Sequence, residues 1–256
     1  MIGEIKEDLV SIITPTYNSN KFLRETLDCI IAQTYKNWEL IITDDGSTDN
    51  TILILEEYSK KDNRIKFYTS KSNLGSGLAR NNSIKLAKGR FIAFIDSDDI
   101  WLPNKLFNHI KFMQENNLTF SHASYGYIDE TGEKIKKTFK VSKRKVGYKD
   151  LLKRTEISVS TTIYDQFAIG KFYMSSDRRR QDYFLWLSIL KAGHYSLGFD
   201  KVDSFYRLHD GQIKKINFKF LADHYKFLRQ RQNLSVLAST YYLLLYIFSS
   251  IKKYFI

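Results

Sequence analysis

Phe91-Ile92-Ala93-Phe94-Ile95-Asp96-Ser97-Asp98-Asp99-Ile100-Trp101 is the stretch that decides the fold. Its first five residues are apolar, with aromatic and β-branched side chains, and predict a strand covered on both faces. The run then breaks into three carboxylates within four positions. Neighbouring carboxylates repel one another and are costly to desolvate unless a cation or hydrogen bonds compensate. A divalent cation is the simplest compensation. Asp oxygens suit Mg²⁺ or Mn²⁺, and such sites join one or two carboxylates to substrate phosphates. The competing reading is a helix cap, with Asp98 or Asp99 capping a helix that enters at Trp101-Leu102-Pro103. One Asp suffices for that role.

Working back from this stretch, apolar strands alternate with amphipathic helices. Leu9-Val10-Ser11-Ile12-Ile13 predicts a strand stopping at Thr14-Pro15-Thr16-Tyr17-Asn18. A helix comes next, from about Asn20, with Phe22, Leu23, Leu27, Ile30 and Ile31 as its apolar stripe. Trp38-Glu39-Leu40-Ile41-Ile42-Thr43 is a second strand and runs into Asp44-Asp45-Gly46-Ser47, after which Thr48 or Asp49 caps a helix. Ile65-Lys66-Phe67-Tyr68 is a third strand. A helix then runs through Leu78, Ala79, Ile84 and Ala87 to Gly89 as its C-cap.

This alternation predicts an α/β fold with a mostly parallel sheet flanked by helices. Ligands of such sheets bind beyond the carboxyl ends of the strands. Pro15, Tyr17, Asp45, Asp96, Ser97 and Asp98 are therefore expected on one rim. There Tyr17 offers a flat face to a base, and Asp45 can accept from a base N–H or a ribose hydroxyl. The carboxylates can hold a metal, and Arg80 can reach a phosphate. Together they describe a pocket for a nucleoside diphosphate. The loop Gly75-Ser76-Gly77 lacks the Lys of a phosphate-binding loop.

Composition sets the bounds. The 256 residues make one large domain or one and a half, 43% of them hydrophobic. A single cysteine, Cys29, excludes an internal disulfide and sits in an apolar setting that reads as inert. The start lacks a basic region preceding an apolar one, so a cytoplasmic protein is expected. A formal net charge of +12 fits nucleic acid, an anionic membrane surface or phosphorylated substrates.

Pro15-Thr16-Tyr17-Asn18, Asp44-Asp45-Gly46-Ser47-Thr48-Asp49, Ala79-Arg80-Asn81 and Asp96-Ser97-Asp98-Asp99 occur in that order. As a set they resemble the family 2 glycosyltransferases, inverting enzymes of GT-A fold that use nucleotide sugars. The resemblance covers about residues 8–115. It implies a nucleotide-sugar donor, usually UDP-linked, with Mn²⁺ or Mg²⁺. Asp98 would bind the metal, Asp96 would face the ribose or sugar with Ser97 between them, and Asp45 would face the base.

Residues 1–115 are thus read as the donor half, 116–213 as the acceptor half and 214–256 as basic amphipathic helices. Residues 134–149 form a basic stretch, a solvated face or a patch for a phosphorylated or lipid-linked acceptor. Residues 148–152 open a helix, and 159–163 predict a strand. In Arg178-Arg179-Arg180-Gln181-Asp182-Tyr183-Phe184-Leu185-Trp186, Asp182 complements the start of a helix. The resemblance adds a second reading. The family commonly has an acid–Asp pair before an aromatic and a Trp, so Asp182 matches the general base, although the first acid is here Gln181. In Tyr206-Arg207-Leu208-His209 the same resemblance assigns Arg207 to the phosphates and His209 to the metal or diphosphate.

Residues 234–251 carry no charge and are flanked by basic residues. Five of them are Ser or Thr, which makes the segment marginal as a membrane span. It reads as a helix packed on the domain, packed in a homodimer, or lying on the inner membrane leaflet. The leading function is hexose transfer from a nucleotide sugar to a saccharide hydroxyl on a growing, lipid-linked glycan of the bacterial surface. A metal-dependent nucleotidyltransferase would release pyrophosphate instead of UDP. A nucleic-acid-binding protein would leave the acids at the strand ends without a purpose.

Overall fold

The computed structural model describes residues 7–209 and 218–254. The first half alternates as expected: β1 (Val10–Thr16), α1 (Leu23–Ile31), β2 (Trp38–Asp44), α2 (Thr51–Lys61), β3 (Ile65–Thr69), α3 (Ser76–Leu86) and β4 (Phe91–Phe94). The second half is more broken. It runs through β5 (Ile100–Trp101), α4 (Lys105–Glu115), β6 (Phe120–Ala123), β7 (Tyr125–Ile128), β8 (Lys134–Phe139), β9 (Lys145–Val146) and α5 (Tyr148–Lys153). After a 3₁₀ turn at Val159–Thr161 come β10 (Ile163–Asp165), α6 (Gln166–Ile169), α7 (Gln181–Lys191), β11 (Ser196–Phe199) and β12 (Ser204–Arg207). Two helices end the described chain, α8 (Phe218–Gln230) and α9 (Val236–Tyr254).

The main sheet has the order β3-β2-β1-β4-β10-β6-β11-β9. Its first four strands are all parallel, and β10 is antiparallel between β4 and β6. A smaller sheet, β5-β12-β7-β8, stands beside it. Every residue of β1, β2 and β4 is buried, because alternate side chains feed two separate cores. Ile12, Leu40, Ile42 and Ala93 pack under α1, α2 and α4, with Leu23, Leu55 and Ile110. Ile13, Ile41, Ile92 and Phe94 pack on the other face, with Ile84, Leu185 and Trp186. This two-sided burial is why the strands read as continuous apolar runs rather than as alternating ones.

Three local expectations are corrected. The first helix begins at Leu23, not near Asn20, because a turn is interposed in which Phe22 N–H donates to the Ser19 carbonyl (3.3 Å). Gly89 is not a C-cap, since α3 ends at Leu86 and Ala87 continues in extended conformation. The glycine is required by contact instead: an added Cβ would lie 2.6 Å from the Leu9 oxygen and the Ser11 nitrogen. Residues 159–163 form a turn before they form a strand. The hydroxyls of Thr161 and Thr162 both donate to the Ser158 carbonyl (2.8 and 2.7 Å), which offers the backbone a turn in place of a ladder.

The basic stretch at 134–149 starts on β8, whose first five residues are exposed at the end of the smaller sheet. The C-terminal helices pack on the domain along one side, through Phe227, Leu228, Tyr242 and Leu243. Their opposite side is bare. Leu237, Tyr241, Leu244 and Phe248 on α9 are 84, 55, 61 and 79% exposed, and their spacing puts them on one stripe. Among the described residues no helix is long and apolar enough to cross a membrane.

Candidate active site

The carboxyl ends of β1, β2 and β4 open into a cavity of about 370 Å³. Pro15, Tyr17, Asp45, Arg80, Asp96, Ser97 and Asp98 all line it. Residues separated by up to 83 positions are thus brought to one rim by the parallel crossovers (98 − 15). Tyr17 is 48% exposed and presents its ring to the opening. Asp45 is buried and accepts from the backbone N–H of Leu74 (2.9 Å) and Gly75 (2.6 Å). One carboxylate therefore both lines the cavity and holds the loop that closes it.

Asp96, Asp98 and Asp99 have different surroundings. Asp96 is ion-paired with the buried guanidinium of Arg80. Ser97 meets Ser19 hydroxyl to hydroxyl at 2.9 Å. Asp98 Oδ2 lies 2.7 Å from His209 Nε2. Burial pushes the Asp98 carboxyl above its usual range and Asp96 adds repulsion, while His209 opposes both. Asp99 is fully enclosed and turned away from the cavity. It accepts from the Ser160 hydroxyl and from the Arg207 backbone N–H (3.1 Å), and Thr26 Oγ1 donates to its carbonyl (2.9 Å). Burial, then Asp96 and Asp98, push its carboxyl well above the ordinary range.

A divalent cation fits the Asp98–His209 pair by its chemistry. A carboxylate whose charge is penalised by burial faces an imidazole nitrogen; the carboxylate oxygens suit Mg²⁺ or Mn²⁺, and the imidazole is a donor to first-row transition metals. No group of three His, Cys, Asp or Glu among the described residues forms a complete cage. Such a pair would hold the ion together with oxygens of a bound diphosphate, as is usual for Mg²⁺-type sites.

Arg207 does not take the place assigned to it. Its side chain is completely buried and lies outside the cavity. The guanidinium pairs with Glu25 (2.6 Å), donates to the Asp98 carbonyl (2.9 Å) and stacks over Phe22 (4.3 Å). It is a positioning residue for the acidic loop, not a phosphate ligand. An Arg at the end of a strand gives no hint of which side it faces, so the sequence could not distinguish the two roles.

A second cavity, of about 1040 Å³, adjoins the first. Ser76, Arg80, Asp96 and Arg178 line both. Asp182 opens into this second cavity from the first turn of α7. Burial raises its carboxyl above the ordinary range, and nearby Asp96 adds to the rise while Tyr183 N–H and Arg80 oppose it. A carboxyl raised toward neutrality is better matched to proton transfer than an ordinary one. The helix is set by its flanks: Arg180 takes a left-handed conformation (φ 62°) just before it, and Trp186 is buried one turn in. Gln181 packs against α3, donating to the Ser76 hydroxyl (2.6 Å), so its missing acid leaves Asp182 untouched.

Two wall residues had no role assigned from sequence. Asn73 and Arg178 face each other across the cavity mouth, with Arg178 donating to the Asn73 side chain and carbonyl at 3.1 Å. The run of three arginines before Asp182 was the available signal.

Residues 11–179 match the family model described as "Glycosyl transferase family 2". The chain is 40% identical to the Escherichia coli protein named UDP-Glc:alpha-D-GlcNAc-diphosphoundecaprenol beta-1,3-glucosyltransferase WfgD, over 96% of this chain and 95% of that one. It is 39% identical to the Escherichia coli protein WfaP, which carries the same activity name, over 84% and 83%. The crystal structure of S. aureus TarS 1-349, solved with UDP, superposes with a TM-score of 0.70 at 22% identity, over 93% of this chain and 70% of that one. That likeness shows the GT-A fold, with its central sheet between layers of helices. The family match and these identities, taken with acids gathered at the strand ends, place the chain in glycosyl transferase family 2, and it is a glycosyltransferase.

Proposed function

We propose that this chain transfers a hexose from a UDP-sugar to a hydroxyl of a lipid-linked saccharide, with inversion at the anomeric carbon. The observation that carries the reading is the shared wall of the two cavities. The cavity rimmed by Asp45 and Asp98, read as the donor pocket, thus adjoins the one that holds the raised carboxyl of Asp182, read as the acceptor space. The names of the relatives supply the substrate class.

In this reading the base stacks on Tyr17 beside Pro15, and Asp45 accepts from it. Asp96 and Ser97, held by Arg80 and Ser19, face the ribose and sugar. Asp182 takes the proton of the acceptor hydroxyl as its oxygen attacks the anomeric carbon. The bond from that carbon to the diphosphate breaks, and UDP leaves. Mn²⁺ or Mg²⁺ held by Asp98 and His209 would offset the charge on the departing diphosphate. The test is product analysis with UDP-glucose and a diphosphate-linked GlcNAc acceptor. UDP and a disaccharide are expected; pyrophosphate release would favour a nucleotidyltransferase instead.

We further infer that the enzyme works from the cytoplasmic side, peripherally, on an anionic bilayer. The bare stripe of α9 is apolar, the chain carries a net charge of +12, and both favour such a surface. The expected result in flotation is that phosphatidylglycerol vesicles carry the protein. The double variant Leu244→Glu/Phe248→Glu should stay at the bottom of the gradient with unchanged turnover of a water-soluble acceptor. Equal flotation of both proteins would remove this part of the proposal, and dimer dissociation by the same variant would favour a homodimer face.

A further inference from the structure

The second cavity is larger than one sugar ring requires, and seven Arg or Lys side chains line it against four Asp. Several of its cations are already matched. Arg80 pairs with Asp96, Arg179 with Asp223 at 3.4 Å, and Arg231 with Asp177 at 2.6 Å. Arg178 is held against Asn73 at the boundary with the donor pocket. Arg180, Lys219 and Lys226 likewise have no carboxylate at ion-pair distance among the described residues, and of the two cavities they line only the second.

Arg180 touches His224, with Nη1 2.5 Å from Nδ1. Burial, then the charge of Arg180, pushes that imidazole down to about 3, so it is neutral and accepts the hydrogen bond. The second guanidinium nitrogen of Arg180, Nη2, is buried with no hydrogen-bond partner. Lys219 and Lys226, from α8, also line the cavity and have no carboxylate at ion-pair distance among the described residues. Lys219 and Lys226 are solvent-exposed and the Arg180 guanidinium stacks over Phe220 (4.5 Å), so the three leave positive charge facing this cavity that an anion can offset. Guanidinium and ammonium groups converging on one space suit a polyanion such as a diphosphate, which offers many acceptor oxygens.

We propose that Arg180, Lys219 and Lys226 form a subsite for the diphosphate of the acceptor. The anion would sit between the start of α7 and the face of α8. The saccharide then spans from it to Asp182, which lies in the same cavity and adjoins the donor pocket through Asp96 and Arg80. This rests on the transferase reading and adds the part that reading lacks, namely what selects a diphosphate-linked acceptor over a free sugar. The basic stretch at 134–149, the other candidate for that task, contributes nothing to the walls of this cavity.

The test uses farnesyl diphosphate as the probe, measured by calorimetry with UDP and Mn²⁺ in excess so that the donor pocket is filled. Wild-type protein is expected to bind it alongside UDP. Lys219→Gln/Lys226→Gln should weaken that binding at least about tenfold, corresponding to about 1.4 kcal/mol, and leave UDP affinity unchanged. Both positions are exposed, so folding is not at stake. The proposal is overturned if the double variant binds farnesyl diphosphate as tightly, if UDP displaces the probe completely, or if charge removal weakens only adhesion to phosphatidylglycerol vesicles. Failure of UDP itself to bind would strike the transferase reading, and the subsite would fall with it; normal UDP binding with an indifferent probe would strike the subsite alone.

Discussion

Asp182→Asn is expected to lower kcat by about 10³-fold, within the range that a positioned general base contributes, while UDP-sugar affinity stays at the wild-type level. The amide keeps the size and the place of the carboxylate but cannot accept the acceptor's proton. The residue lines the second cavity and not the first, which is why binding and chemistry should separate. The same environment sets the pH dependence. Burial raises the Asp182 carboxyl, and only the deprotonated form is a base, so kcat should fall as the medium is acidified. The midpoint of that fall should lie above the ordinary Asp value of about 3.9. A variant that turns over normally, or a midpoint at the ordinary value, would show that another group takes the proton.

The second large effect is expected at Asp98. Asp98→Asn retains an oxygen near His209 but removes the charge that a divalent cation needs. The affinity for Mn²⁺ in the presence of UDP should fall by about 100-fold or more, since even indirect partners of metal ligands are worth 10- to 100-fold. Titrating Mn²⁺ against UDP-loaded protein reads this directly, without reference to turnover. Without metal the variant should unfold at the same temperature as wild type or higher, because Asn ends the repulsion with Asp96 that a buried carboxylate suffers. A lowered melting temperature would mean that Asp98 serves the fold; unchanged Mn²⁺ affinity would remove it from the metal site.

Much of the donor side was readable because parallel strands impose a simple rule. Apolar runs at residues 38–43 and 91–95 could only be buried strands, and the residues at the carboxyl ends of such strands are carried to one rim. Tyr17, Asp45 and Asp98 could therefore be brought together without knowing a single contact. The rule weakens after Trp101, where the strands shorten to between two and six residues and the sheet mixes directions. There the register of β12 decides that Arg207 points inward, and register is a pairing property that a lone strand does not display. Gly89 shows the same limit: its sequence position suited a helix end, whereas the close approach to β1 arises only once the sheet is assembled. The cationic subsite was hidden for a further reason. Arg180 comes from the start of α7 and Lys219 and Lys226 from α8, and nothing in the local pattern of either segment predicts that they face one space.

Asp99 has an implication for engineering. Its carboxylate is gripped by Ser160 and by the backbone of Arg207, while Thr26 holds its carbonyl. The acidic loop is consequently wired to the middle and to the far end of residues 116–213, and to α1 through Thr26. Shuffling that portion between relatives as a cassette, in order to redirect which glycan is extended, would recombine the Ser160 and Arg207 clasps as well. Hybrids that inherit Asp99, Ser160 and Arg207 from one parent should keep their grip on the nucleotide sugar, and crossovers that divide them should lose it before any question of acceptor choice arises.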